Sequence, residues 1–217
     1  MSVNINASTT NGLVLTSDTS GELKLQANGA DIATVDSSGI TMASGKTIAG
    51  ITTGKILQVV STTKANTTSV TGNNTAWADI SGMSVAITPT STSSKILVFF
   101  SVNISQSSVN GRAYVRLLRD TTAIDISSTV SGTAPQNLER TSVGMRLTTN
   151  TQDIREMSSM YLDSPSTTSA TTYKLQWKQN YNIGGSTTLH LNSQAAPNGT
   201  NDDFDTTSHI TVMEVAG

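Results

Sequence analysis

The sequence predicts an all-β protein: short strand-and-turn repeats followed by a larger antiparallel β-sandwich. Three observations carry this. Ser and Thr make up roughly 30% of the 217 residues, while charged residues are only 13%. Thr is β-branched and suits a pleated, half-wet surface, so the excess reads as sheet surface. Turn signals recur throughout, with apolar/polar alternation of period two between them. No stretch carries an apolar stripe of helical period, so almost no helix is expected.

Taken in order, residues 1–11 are polar and read as an N-terminal arm. Residues 12–52 form the repeat region. Leu23 and Leu25 alternate with Glu22, Lys24 and Gln26, and Ala33 and Val35 alternate with Ile32, Thr34 and Asp36. Turns are expected at Asp18–Gly21, Asn28–Gly29, Ser37–Gly39 and Ser44–Gly45. Strands this short, with one or two apolar side chains each, cannot bury a core alone. Such repeats gain stability by stacking on copies of themselves, so an intertwined β-stalk shared between chains is expected. An ordinary β-meander and a flexible linker are the alternatives.

From residue 53 to 217 the strand words lengthen: GKILQVVS, TAWADIS, MSVAIT, SKILVFFSVNIS, GRAYVRLLRD, AIDISS, SVGMRLT, REMSSMYLDS, TTYKLQWKQ, TTLHLNS and HITVMEV. Their number and spacing suit a sandwich or jelly roll. In SKILVFFSVNIS, the residues Ile96, Val98, Phe100, Val102 and Ile104 share one face. Leu97 and Phe99 make the other face apolar too, which predicts a central strand covered on both sides. In TTYKLQWKQ, Tyr173, Leu175 and Trp177 should point inward and Lys174, Gln176 and Lys178 outward. Pro89 and Pro165 follow strand words as turn residues. The longest polar loop, around Asn201–Asp205, precedes the last strand.

Composition also restricts function. The formal net charge is −2 and the 13 basic residues are scattered along the chain, which argues against nucleic-acid binding. There is no cysteine, so disulfides, thiol catalysis and Cys-ligated zinc are excluded. Residues 1–20 lack the pattern of a signal peptide, and no apolar run is long enough to span a membrane as a helix. Synthesis in a cytoplasm without membrane insertion is expected.

No catalytic pattern stands out. The two histidines, His190 and His209, read as structural, and no nucleophile elbow, zinc-protease helix motif or phosphate loop is present. The acids Asp120, Asp125, Glu139 and Asp153 read as solvated pairs with nearby Arg rather than as a glycosidase dyad. We expect no enzyme activity and no cofactor. Asp202, Asp203 and Asp205 form an oxygen-rich loop and are weak calcium candidates, although their spacing fits no defined motif.

Several of these words are specific. SVAITPTSTSSKILV, YLDSPSTTSATTYKLQW and the terminal ITVMEVAG, over roughly residues 53–217, resemble a family of bacteriophage tail-fibre and appendage proteins rich in marine and environmental phages. The upstream SSGITMASGKTIAG is similar to the linker repeats that precede such domains. The resemblance implies a virion structural protein made in the bacterial host cytoplasm. It also implies a jelly-roll-like head on a β-stalk and an intertwined homotrimer. The expected role is a tail-associated fibre or tip subunit that contributes to host-surface attachment. The alternative is a head fibre or capsid decoration protein anchored to the shell by its N-terminal arm. A fibre-borne depolymerase and a cellular trimeric ligand or carbohydrate-binding module of similar β-sandwich shape are weaker readings. Partners would be copies of itself, other tail or capsid proteins, and a host glycan or protein. Loop residues Tyr181, Asn182, Asn198, Asn201 and Phe204 are the receptor-contact candidates.

Overall fold

The structure is a computed structural model. It describes residues 21–46, 48, 56–72, 76–108, 111–128, 140–146, 153–180, 187–197, 199 and 203–217. The expected arm, residues 1–11, lies outside them. The chain divides into two compact units, Met1–Thr53 and Gly54–Gly217. All regular structure among the described residues is β, and every strand pair is antiparallel.

The first unit contains a three-stranded meander, β1 (Leu23–Ala27), β2 (Ala30–Asp36) and β3 (Gly39–Met42), in the order β1-β2-β3. Asn28 (φ 51°) and Gly29 (φ 74°) make the two-residue turn between β1 and β2. Left-handed backbone at both positions matches the twist of the flanking strands, as Asn-Gly turns do. Asp36 Oδ1 accepts the Ser38 N–H at 2.7 Å and tightens the next turn. Directly paired residues share a face. The rows Leu23–Val35–Ile40 and Leu25–Ala33–Met42 therefore collect the apolar side chains on one side, while Lys24–Thr34–Thr41 forms a polar row behind. Of the described apolar residues in this unit, only Ala33 is buried.

The second unit is a two-sheet antiparallel sandwich. It consists of β4 (Ile56–Lys64), β5 (Thr68–Gly72), β6 (Ala78–Ile87), β7 (Lys95–Gln106), β8 (Arg112–Arg119), β9 (Thr122–Ile124), β10 (Val143–Arg146), β11 (Arg155–Asp163), β12 (Thr171–Asn180), β13 (Thr187–Leu191) and β14 (Ser208–Val215). One sheet runs β4-β14-β7-β13-β5, with β11 also paired to β7. The other runs β10-β8-β12-β6, with β9 also paired to β8. The chain crosses repeatedly between the sheets, which gives the jelly-roll-like sandwich that strand spacing predicts.

The core lies between the inner faces. Ile96, Val98, Phe100, Val102 and Ile104 of β7 are buried as their alternation requires, together with Ile210 and Val212 of β14. Across from them stand Val85 and Ile87 of β6, Val115 and Leu117 of β8, and Tyr173, Leu175 and Trp177 of β12.

Three expectations need correction. TAWADIS and MSVAIT are not separate strands. They join in β6 around Ser81 and Gly82, where Gly82 adopts φ 80° and the pairing with β12 shifts register. The glycine makes a bulge, not a turn, and the stem of Lys64 packs against its open side. Thr68–Gly72 is a strand although Val70 is its sole apolar residue of size; pairing to β13, not its own pattern, makes it one. Finally, β7 is central by hydrogen bonding, but among the described residues its second face is left partly open. Phe99 is 38% exposed and Leu97 is half-buried.

Candidate functional site

Of the expected receptor and calcium residues, Tyr181, Asn182, Asn198, Asn201 and Asp202 lie outside the described residues. Phe204 is exposed, and its N–H reaches Gln194 Oε1 at 3.4 Å. Asp203 Oδ2 accepts the Gly199 N–H at 2.6 Å, and Asp205 bridges Ser193. Among the described residues no three acidic or histidine side chains converge as a metal-binding group would.

The loop that carries Phe204 has a closed neck. Asn192, buried at φ 65°, donates its side-chain amide to Lys64 O at 2.8 Å and Asn66 O at 3.2 Å, and accepts from Ser208 Oγ at 2.6 Å. Its own N–H donates to Asn103 O, and its carbonyl accepts from Thr206 N–H, both at 2.9 Å. One residue, through side chain and backbone, thus ties β4, β7 and the start of β14 together. A buried polar group this well satisfied fixes a single geometry.

The buried acids are structural. Glu214 is fully buried. Burial pushes its carboxyl up, but hydrogen bonds from Gln58 Nε2 (2.6 Å), Thr90 N–H (2.7 Å) and Thr90 Oγ1 (2.7 Å) outweigh that and hold it down at about 2. It pins the turn after β6 onto β14. Asp163 accepts Arg119 Nη1 at 2.9 Å and the Tyr173 hydroxyl at 2.7 Å. Burial and that carboxylate push the Tyr173 hydroxyl far above its ordinary range. Sequence reasoning missed this trio because its members lie on three different strands. Asp120 and Asp125 also differ from expectation. They accept from Thr172 N–H and Ser159 Oγ rather than pairing with Arg, whereas Asp153 does pair with Arg155 at 2.9 Å. Glu139 lies outside the described residues. His190 points away from buried Leu189 and Leu191, and burial holds its imidazole below the usual value.

The two outward faces of the sandwich differ sharply. On the larger sheet, register aligns Leu162–Leu97–Met213–Val59 and Met160–Phe99–Thr211–Ser61 across β11, β7, β14 and β4. Neither row contains a charge. The His209 ring lies 5.5 Å from that of Phe99 at the border. With Ile56 and Leu57, this face holds six large exposed apolar side chains.

The smaller sheet presents the opposite chemistry. Arg112, Tyr114 and Arg116 of β8, Lys174, Gln176 and Lys178 of β12, Arg146 of β10 and Asp79 of β6 occupy its outward positions. Five of the basic residues spread along the sequence thus share one face. Arg116 donates Nε (2.9 Å) and Nη2 (2.6 Å) to Gln176 Oε1, and its guanidinium carbon stands 4.3 Å from the centroid of the Trp77 ring. Lys174 Nζ (2.8 Å) and Gln176 Nε2 (2.7 Å) donate to Asp79, which holds its carboxyl below the usual range. Tyr114 packs over Gly144, where a Cβ would stand 3.2 Å from Tyr114 Cδ1.

No known family model matches the chain, and no curated protein does. Loose likenesses exist among solved structures. One is the Gt strain of infectious bursal disease virus (14% identity, TM-score 0.41, covering 100% of this chain and 52% of that one). Another is the Gx strain (12%, 0.40, 89% and 42%). A third is a mutant VP2 protein of the same virus in derived T=1 particles (11%, 0.40, 89% and 45%). The chain thus spans about half the length of the viral chains it matches. Likenesses this loose carry no argument about its activity.

Proposed function

We propose that the chain is a non-catalytic structural subunit of a bacteriophage virion, a tail-associated fibre or tip protein that self-associates, as three copies, and contributes to host-surface attachment. The observation that carries this reading is uncovered apolar sheet surface in both units. The meander turns Leu23, Leu25 and Ile40 outward on one face, and the larger sheet of the sandwich leaves Val59, Phe99, Met160 and Leu162 exposed. Side chains exposed between 38% and 67% offer on the order of 500 Å² on the sandwich face. That is near the top of what monomers expose, and it approaches the roughly 800 Å² per partner of a standard interface.

Copies of the same chain suit this surface. Two identical faces can meet only if no like charges oppose each other, and the two central rows carry none. A meander with one bare apolar face is completed when the same face of other copies closes around it. The resemblance of residues 53–217 to phage appendage proteins supplies the virion context.

Two measurements test the reading. Light scattering of the purified chain should give a multiple of 22.7 kDa, and Phe99→Asp with Met160→Asp should return it toward one chain without lowering helix-free circular dichroism. Immunogold microscopy of virions, with antibody against residues 53–217, should label the tail. Label over the head would make it a decoration protein, and no label beside a working control antigen would remove the virion reading.

A further inference from the structure

The outward face of the β10-β8-β12-β6 sheet collects five of the chain's 13 basic residues: Arg112, Arg116, Arg146, Lys174 and Lys178. The one acid at these strands' outward positions is Asp79. At the described outward positions five cations and one carboxylate give a formal +4, on a chain whose net charge is −2. Such separation creates a local potential that attracts anions although the whole molecule is acidic. Two aromatic rings stand within the patch. Tyr114 lies between Arg112 and Arg116 along β8 and opposite Lys178 across the pair. Trp77 stacks on the Arg116 guanidinium.

We propose that this face binds an acidic polysaccharide, a glycan bearing carboxylate or phosphate substituents on its sugar rings. The inference rests on the attachment reading and gives it a ligand class. The chemistry divides between the two kinds of side chain. A pyranose ring presents a flat face of C–H groups that packs on an aromatic ring, which Tyr114 supplies beside the cations. The substituent anions meet guanidinium forks, which bind planar oxyanions through paired N–H donors. Arg116 is held in one plane by Gln176 and Trp77, so ordering it costs little when a ligand arrives. The site is an open sheet face rather than a pocket, and an open face suits an extended polymer chain.

Nucleic acid fits less well. A duplex carries about one charge per 1.7 Å of axis and extends far in both directions. Four strands at about 4.8 Å spacing make a patch on the order of 15 Å across, and the rest of this chain carries a net negative charge that repels what overhangs. A glycan charged once every sugar or two meets that surround with less repulsion.

The test uses the purified full chain. Affinity electrophoresis is run with polygalacturonate, with neutral dextran, with single-stranded DNA and with anionic phosphatidylglycerol vesicles. Polygalacturonate should retard the protein and dextran should not, with retardation weakening as salt rises. Arg112→Gln, Arg146→Gln and Lys178→Gln together should weaken it roughly tenfold or more. Arg146→Gln alone, at an exposed position, should give part of that loss and keeps the test valid if the triple variant folds poorly. Tyr114→Ala should weaken the glycan while sparing any residual salt-sensitive attraction. The proposal is overturned if polygalacturonate is not retained, or if the variants bind it as the parent does. Tighter binding of DNA or vesicles than of polygalacturonate overturns it too. None of these outcomes depends on where the protein sits in a virion, so failure here and failure of the virion reading are separate results.

Discussion

In the sandwich, alternation turns Ile96, Val98 and Phe100 of β7 toward Leu175 and Trp177 of β12, and two sheets exclude water between them. In the three-stranded meander the same alternation gathers Leu23, Leu25, Val35, Ile40 and Met42 on one face, and only Ala33 is covered. The local rule is identical in the two units. What differs is the supply of a second layer, and a sheet without one gains too little from burial to offset the entropy of ordering its backbone. Period-two patterning therefore specifies which face will be buried, but not by what. The sandwich finds its second layer among its own strands, and the described strands of the meander supply none for its apolar face.

The most severe test of that contrast removes the outside. A peptide of residues 1–50 at low concentration should be wholly unfolded, giving a poorly dispersed NMR spectrum. A well-dispersed one would show that the meander needs no partner. Next in size is Asp163→Ala, which strips Arg119 and Tyr173 of their shared acceptor inside the sandwich. Breaking a buried pair costs about 3–5 kcal/mol, and the partial exposure of Arg119 places this one near about 3 kcal/mol. Calorimetry should show the melting temperature fall by roughly 6–12 °C. Leu25→Asp should leave that melting temperature alone yet weaken self-association by about tenfold, read as a concentration-dependent mass; equal loss in both readouts would mean the units are not independent.

The last contrast is a pH dependence confined to the sandwich. Glu214 has an ordinary carboxyl value of 4.5 and is held at about 2 in the fold. A lowered folded value means its stabilisation is complete above 4.5 and is lost as pH falls from 4.5 towards 2. Denaturant melts across that window should lose stability in the parent and flatten in Glu214→Gln. His190 acts in the same direction at higher pH. Its lowered value removes stability as pH falls below 6.5, and His190→Gln should abolish that slope.

What was legible in the sequence was local. The inner face of β7 and the alternation of Tyr173, Leu175 and Trp177 follow from period two alone. Asn28–Gly29 announced its turn because few other pairs tolerate two successive left-handed residues. Gly82 misled, since a glycine inside a strand and a glycine at a turn look alike until the partner strand is known. Phe99 and Leu97 misled in the other direction: an apolar outer face was read as a covered one. The cationic face was legible only in part: alternation turned Lys174 and Lys178 outward, but Arg112 and Arg146 lie far off in sequence and join them only through the register of β8, β10 and β12. Register is a property of the fold as a whole, so no window of residues contains it.

The neck at Asn192 has a consequence for how this surface could change over generations. Hydrogen bonds at Asn192, Ser193, Asp205, Thr206 and Ser208 join the two ends of the intervening stretch, here called the lobe. Lengthening a lobe past a closed base adds only about 0.6 kcal/mol per doubling. The lobe is thus a cassette. Foreign segments grafted between residues 197 and 203 should leave the melting of the sandwich almost untouched, and new sequences can be sampled there without renegotiating the strands that hold its ends.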